Sequence, residues 1–224
     1  LGKYEKAIRH AREQIPVAER DVDVWLQVAE AHEKIGSPRK DVLACYEEAR
    51  KANPSDPRVY LGLARMSYRV KDYKKALEHY QKSYLLSRTA EASEGIALSA
   101  LKLGKKDMAR DAAESAVALD ASVHDSRLIL ADQYFNEGKY KEAAEQLQFI
   151  VRKKPKDIAN WRRLAVCYEK TDNAAKLAEA DKHIVDLDKK DVQSRQRLAR
   201  YRLTHNDTAT AYKLYKELAL LTPK

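Results

Sequence analysis

The chain predicts an all-α solenoid of paired antiparallel helices, and three observations carry that expectation. Small or aliphatic residues recur at fixed spacing. Ala76, Ala109, Ala143, Leu177 and Ala211 are separated by 33, 34, 34 and 34 residues; Ala7 begins the series and Val42 fills the slot between Ala7 and Ala76. The residues ahead of them recur as well, as Gly2-Lys3-Tyr4, Lys71-Asp72-Tyr73 and Gly138-Lys139-Tyr140. A period of this length marks stacked repeats, each too small to bury its apolar face alone. Finally, charged residues make up 34% of the chain while 224 residues contain only 6 glycines and 6 prolines, which suits long solvated helices. The period predicts thirteen helices and no strand.

Taken in order, residues 1–21 read as the second helix of a unit that lacks its first, with Tyr4, Ala7, Ile8 and Ala11 on its apolar side. Full units follow at 22–56, 57–89, 90–123, 124–157, 158–191 and 192–224. In the first, Trp25, Val28 and Ala29 mark one helix; Ser37 is expected to cap the next, which Pro38 opens. The second repeats this with Tyr60, Leu63, Ala64, then Tyr73, Ala76 and Tyr80. In the third and fourth, Gly104 and Gly138 stand where the first helix must stop, a place suited to positive φ. The fourth runs Leu130, Ala131, Tyr134, then Ala143, Leu147, Ile150 and Pro155. In the fifth, Trp161, Leu164, Ala165 and Tyr168 follow the i, i+3, i+4, i+7 rule, Thr171-Asp172-Asn173 breaks the helix, and Leu177, Ala178, Ile184 and Val185 resume, weakened by Asp181. Pro54, Pro155 and Pro223 follow second helices, which a proline cannot continue. The last helix presents Tyr212, Tyr215, Leu218 and Leu221. Solenoid ends need polar outer faces. Neither end has one, and Leu1 falls inside a repeat, so the chain is expected to be a piece of a longer protein and to self-associate weakly through its ends.

The order Trp-x2-Leu-Ala-x2-Tyr, then Gly-x-Tyr-x2-Ala, then an aromatic or leucine, then proline resembles the tetratricopeptide repeat. It is carried by Trp25, Val28, Ala29, Gly36, Tyr46, Ala49 and Pro54, by Tyr60, Leu63, Ala64, Tyr73, Ala76 and Tyr80, and by Trp161, Leu164, Ala165 and Tyr168. Later units are looser: Arg127 and Arg195 replace the tryptophan and Arg202 the tyrosine. The resemblance implies a right-handed superhelix whose first helices line a concave, ligand-binding surface. It also implies a protein–protein interaction scaffold rather than an enzyme.

No motif argues for chemistry. The chain has no P-loop, dinucleotide-binding, zinc-protease or paired-cysteine pattern, and its 6 histidines lack ligand spacing, so neither cofactor nor metal is expected. Cys45 and Cys167 lie more than three repeats apart, too far to bridge in a solenoid. The sequon Asn206-Asp207-Thr208 has no meaning without a secretory context. No apolar run is long enough to span a membrane. Tyr4, Tyr46, Tyr73, Tyr80, Tyr134, Tyr140, Tyr168 and Tyr215 occupy repeat packing positions, which argues against a nucleic-acid stacking surface. The net charge of +9 is concentrated late: residues 151–224 hold 18 Lys and Arg against 10 Asp and Glu. Electrostatic binding of a polyanion by that third is the alternative to peptide binding.

The expected groove is read from the outward faces of the first helices. It comprises Arg58, Arg65 and Arg69 in the second unit, Leu98 in the third, and Leu128, Asp132 and Phe135 in the fourth. Arg162, Arg163 and Lys170 follow in the fifth and Arg197 and Arg200 in the sixth, after an acidic stripe of Asp23, Glu30 and Glu33 in the first. This order predicts alternating charge and an apolar middle, suited to a peptide or helix with an acidic segment. Some members of the family hold a chaperone C-terminus with a two-carboxylate clamp, which needs Lys and Asn one turn apart and Asn in the next unit. No consecutive trio supplies it.

Overall fold

The computed structural model describes residues 2–16 and 19–221. Leu1 and the Pro223-Lys224 stop lie outside them. Among the described residues there are thirteen α-helices and no strand: α1 Gly2–Glu13, α2 Val22–Ile35, α3 Arg39–Ala52, α4 Pro57–Arg69, α5 Tyr73–Leu86, α6 Ala90–Lys102, α7 Lys106–Leu119, α8 Asp125–Asn136, α9 Tyr140–Lys153, α10 Ile158–Lys170, α11 Ala174–Leu187, α12 Val192–Thr204 and α13 Thr208–Leu221. They group into two compact units, Leu1–Ser126 and Arg127–Lys224.

Acidic and hydroxyl N-caps start the helices. Asp21, Asp56, Thr89, Asp157 and Asp191 accept from backbone N–H groups of α2, α4, α6, α10 and α12 over 2.8–3.3 Å, and Asp72 and Asn173 do so for α5 and α11. Such caps satisfy donors that have no partner inside the helix. Each first helix ends on a left-handed residue. Gly36, Gly104 and Gly138 have φ of 73°, 74° and 73°; in the other units Lys71, Asp172 and Asn206 take the same turn with φ of 63°, 51° and 62°. Glycine adopts this conformation freely, whereas a side chain costs about 1–2 kcal/mol there. The expected cap at Ser37 is corrected. Ser37 Oγ lies 2.7 Å from His32 Nδ1, and Pro38 is the N-cap of α3 without a side-chain hydrogen bond.

The small residues mark the close helix contacts. Ala29, Ala64, Ala97, Ala131, Ala165 and Ala199 in the first helices are all at most 1% exposed, as are Ala76, Ala109, Ala143 and Ala211 in the second. Ala7 departs from the series and is exposed, because among the described residues no helix precedes α1. Tyr46, Tyr80 and Tyr168 are buried as their repeat positions require, whereas Tyr4 in α1 and Tyr215 in α13 are 36% and 39% exposed.

The tryptophan slot is filled by function rather than shape. Trp161 Nε1 donates to Pro155 O and Tyr60 Oη to Pro54 O, both at 2.9 Å, and Arg195 Nη1 donates to Lys189 O at 2.5 Å. Each flat side chain reaches the carbonyl six residues back in the preceding loop. Arg195 thus replaces the tryptophan's N–H while remaining only 2% exposed.

Candidate functional site

The expected groove residues project from α4, α6, α8, α10 and α12. In unit Leu1–Ser126, α4 stands between α2 and α6 and is tied to both by its arginines. Arg58 Nη1 lies 2.7 Å from Asp23 on α2, and its Nη2 lies 2.6 Å from Asp56, the N-cap of its own helix. The Arg58 guanidinium holds the Asp56 carboxyl below the usual carboxylate range. Arg69 reaches Glu33 on α2 at 2.7 Å, and Arg65 pairs with Glu91 on α6. The stripes expected to alternate in sign along the groove are therefore bonded to one another. These arginines remain 47–58% exposed, so the pairs are screened and each contributes little, about 0–1 kcal/mol. An open cleft of about 410 Å³ between α2 and α4 carries Glu30, Leu26 and Leu61 beside them. Tyr46 borders it, its hydroxyl pushed up to about 12 by burial and then by Glu33. Leu98 on α6 is half-buried.

In unit Arg127–Lys224 the structure brings Asp132, Phe135 and Arg163 together. Arg163 Nη2 lies 2.5 Å from Asp132, and its guanidinium carbon sits 5.4 Å from the centre of the Phe135 ring. Phe135 and Leu128 are half-buried against a core that includes Ala131, Leu147 and Leu164, so they are packing residues first. Arg162 turns instead to the loop before α12, donating to Asp188 at 3.0 Å and to Asp191 at 2.8 Å. Lys170 is exposed and has no ion pair among the described residues.

Arg197 makes the tightest of these contacts. Its Nε and Nη2 donate to the two carboxylate oxygens of Asp181 at 2.9 and 2.5 Å. Asp181 is fully buried, and burial raises its pKa against the pull of Arg197. The repeat explains the pair. Asp181 holds the slot of Tyr46 and Tyr80 on earlier second helices, and Arg197 holds that of Gly62 and Gly95 on the following first helices. In those two joints the tyrosine ring fills the space a Cβ would need at Gly62 and Gly95. In the last joint an ion pair replaces that ring-on-glycine contact.

Beside this pair, α10, α11 and α12 enclose an open cleft of about 370 Å³. Leu177, Tyr201 and His205 form its apolar wall, with Tyr201 and His205 stacked at 4.0 Å, and Glu169 and Arg200 stand at its mouth. Arg200 is exposed, and among the described residues its side chain has no ion pair. Sequence reading anticipated Arg197 and Arg200 here but not Leu177, Tyr201 or His205. Tyr201 and His205 lie four residues apart on α12, a spacing that could have flagged them.

This arrangement defines a class first: an all-α repeat protein of antiparallel helix pairs whose first helices present charged, cleft-bearing faces. The chain belongs to the tetratricopeptide-repeat superfamily, with family models for the tetratricopeptide repeat matching residues 22–66 and 94–158. Hsp70-Hsp90 organizing protein 1 of Glycine max is 24% identical over 176 residues, covering 76% of this chain and 29% of that protein. A TPR repeat-containing protein of Methanocaldococcus jannaschii is 26% identical over 183 residues, covering 75% of this chain and 31% of that one. The chain thus spans less than a third of the length of these curated relatives. Among solved structures, YrrB, described as a TPR protein with an unusual peptide-binding site, superposes with a TM-score of 0.62 at 19% identity, over 95% of this chain and 97% of its own. MamA superposes with a TM-score of 0.61 at 20% identity, over 77% and 94%. These likenesses show the fold. The tetratricopeptide repeats themselves support a protein-interaction scaffold. Among the described residues no helix is long and apolar enough to cross a membrane.

Proposed function

We propose that the chain binds an extended or helical segment of a partner protein along its first-helix face, with the cleft between α10, α11 and α12 as the principal contact. The observation that carries this reading is Arg200. It is an exposed cation with no ion pair among the described residues, at the mouth of a cleft walled by Leu177 and Tyr201. The other groove arginines, from Arg58 to Arg163, already hold acids of their own chain, so a ligand must displace an existing pair to use them. A segment carrying one acidic side chain about a turn from one apolar side chain satisfies both features of the cleft. Arg197 acts as a wall, held by Asp181. Leu98, Leu128 and Phe135 add apolar edges on their own helices, and Lys170 supplies a second free cation.

A peptide array followed by fluorescence anisotropy on the best sequence tests this. Binding peptides should share an acid next to an apolar residue, and scrambling should abolish binding. Arg200→Glu should weaken affinity about tenfold or more, a loss of about 1.4 kcal/mol, while Arg162→Glu should leave it within about twofold. Affinity that ignores peptide order and falls steeply with salt would instead establish polyanion binding by the basic third.

A further inference from the structure

We propose a second docking site, on the opposite face of α12, that takes an acidic amphipathic helix of a partner protein. Arg195, Leu198 and Arg202 point away from the cleft that holds Arg197 and Arg200. With residues of α11 and α13 they line a separate cleft of about 540 Å³. That volume lies within the range of about 300–1,000 Å³ typical of binding pockets.

The lining charges select the ligand. Two carboxylates, Asp186 and Glu217, face five cations: Lys182, Lys189, Arg195, Arg202 and Lys213. Both carboxylates are already engaged, Asp186 with Lys189 at 3.2 Å and Glu217 with Arg195 at 3.2 Å. Lys182 and Lys213 are exposed and have no ion pair among the described residues. Arg195 is held by Glu217 and by Lys189 O, and Arg202 pairs with Asp207 at 3.6 Å. Lys182 and Lys213 are therefore the cations of this cleft open to a ligand carboxylate. The two first-helix clefts differ. Glu169 and Asp181 balance Arg197 and Arg200 in one, and three acids balance three bases in the other.

The floor excludes other anions. Val185, Leu198 and Leu214 are buried there, and Leu220, 77% exposed, overhangs the edge. No aromatic residue lines the cleft, so it offers single-stranded nucleic acid no stacking platform. A helix fits: one ridge of apolar side chains enters between α11 and α13 while flanking carboxylates meet Lys182 and Lys213. This site stands independently of the α10–α12 cleft.

The test uses a labelled helical peptide with leucine at i, i+3, i+4 and i+7 and glutamate on the flanks, titrated into the full chain by fluorescence anisotropy. The expected result is a saturable component of binding that persists in Arg200→Glu, and that weakens about tenfold or more in Lys182→Glu/Lys213→Glu and again in Leu220→Ser. All of these substitutions fall on exposed side chains, and unchanged thermal melts verify that the fold is retained. A peptide with serine for leucine, or with lysine for glutamate, should not bind. Equal binding of the serine peptide would overturn the proposal in favour of bare charge attraction. Binding lost only in Arg200→Glu would assign the peptide to the first-helix cleft instead. Tighter capture by phosphatidylglycerol vesicles, lost in Lys182→Glu/Lys213→Glu, would make the surface a lipid site and overturn it as well.

Discussion

The buried pair of Asp181 and Arg197 should be replaceable by the contact that two earlier joints use in its place. Arg197→Gly leaves a fully buried carboxylate without its guanidinium partner. Breaking a buried pair from one side costs about 3–5 kcal/mol. Glycine within α12 adds about 1 kcal/mol. Asp181→Tyr alone drives a ring into the Arg197 side chain and should also destabilise. The double variant Asp181→Tyr/Arg197→Gly rebuilds the Tyr46–Gly62 and Tyr80–Gly95 geometry and should recover most of the loss. Urea denaturation of all four proteins gives the coupling energy directly. The pH dependence supplies a second check. Burial already raises the Asp181 pKa, and removing Arg197 raises it further. A carboxyl with a raised folded pKa binds more protons when folded than when unfolded, so its deficit grows as pH rises above the unfolded value. Arg197→Gly should therefore lose more stability at pH 8 than at pH 5. A single variant costing under about 1 kcal/mol at both pH values, or a double no better than its worse single, would refute the reasoning.

Three further outcomes follow from the same structure. Gly104→Ala should cost about 1 kcal/mol from backbone strain alone, because a Cβ there meets nothing within 4 Å, while Lys71→Gly should gain up to about that amount; chemical melts of both variants check the turn. Ala143→Leu should cost about 1–3 kcal/mol by overpacking, since Ala143 is fully buried, and a loss within error would contradict its contact position. Burial lowers the His79 pKa below its ordinary 6.5, so the unfolded chain takes up a proton first and stability should fall as pH drops below 6.5; thermal melts between pH 7 and pH 5 should show a decline that His79→Gln reduces.

The repeat and its helices were legible because they rest on local rules. Gly104 and Gly138 announced their turns through their freedom at positive φ, and the alanines announced close contacts through their period. Lys71, Asp172 and Asn206 make the same turn without a glycine to announce it. Ser37 was misread because its hydroxyl pairs with His32 Nδ1 in the last turn of α2 rather than with a backbone N–H of α3. The groove face was legible as a set of outward positions. Its chemistry was not, because pairing depends on which acid of a neighbouring helix each arginine reaches. Arg162 and Arg163 are adjacent in sequence, yet one joins Asp191 and the other Asp132.

By itself, the sequence determined the fold class, the order of helices and the residues that must be small. Each follows from a period of 33–35 residues and from backbone preferences acting within a few positions. Only the tertiary structure decided which charges remain for a partner. Asp181 read as a flaw in an apolar series until α12 set Arg197 against it, and Arg195 as a lost tryptophan until it was seen donating to Lys189 O. Ion pairs are set by distances between helices that no single helix encodes, because Coulomb attraction and desolvation act between side chains far apart in the chain.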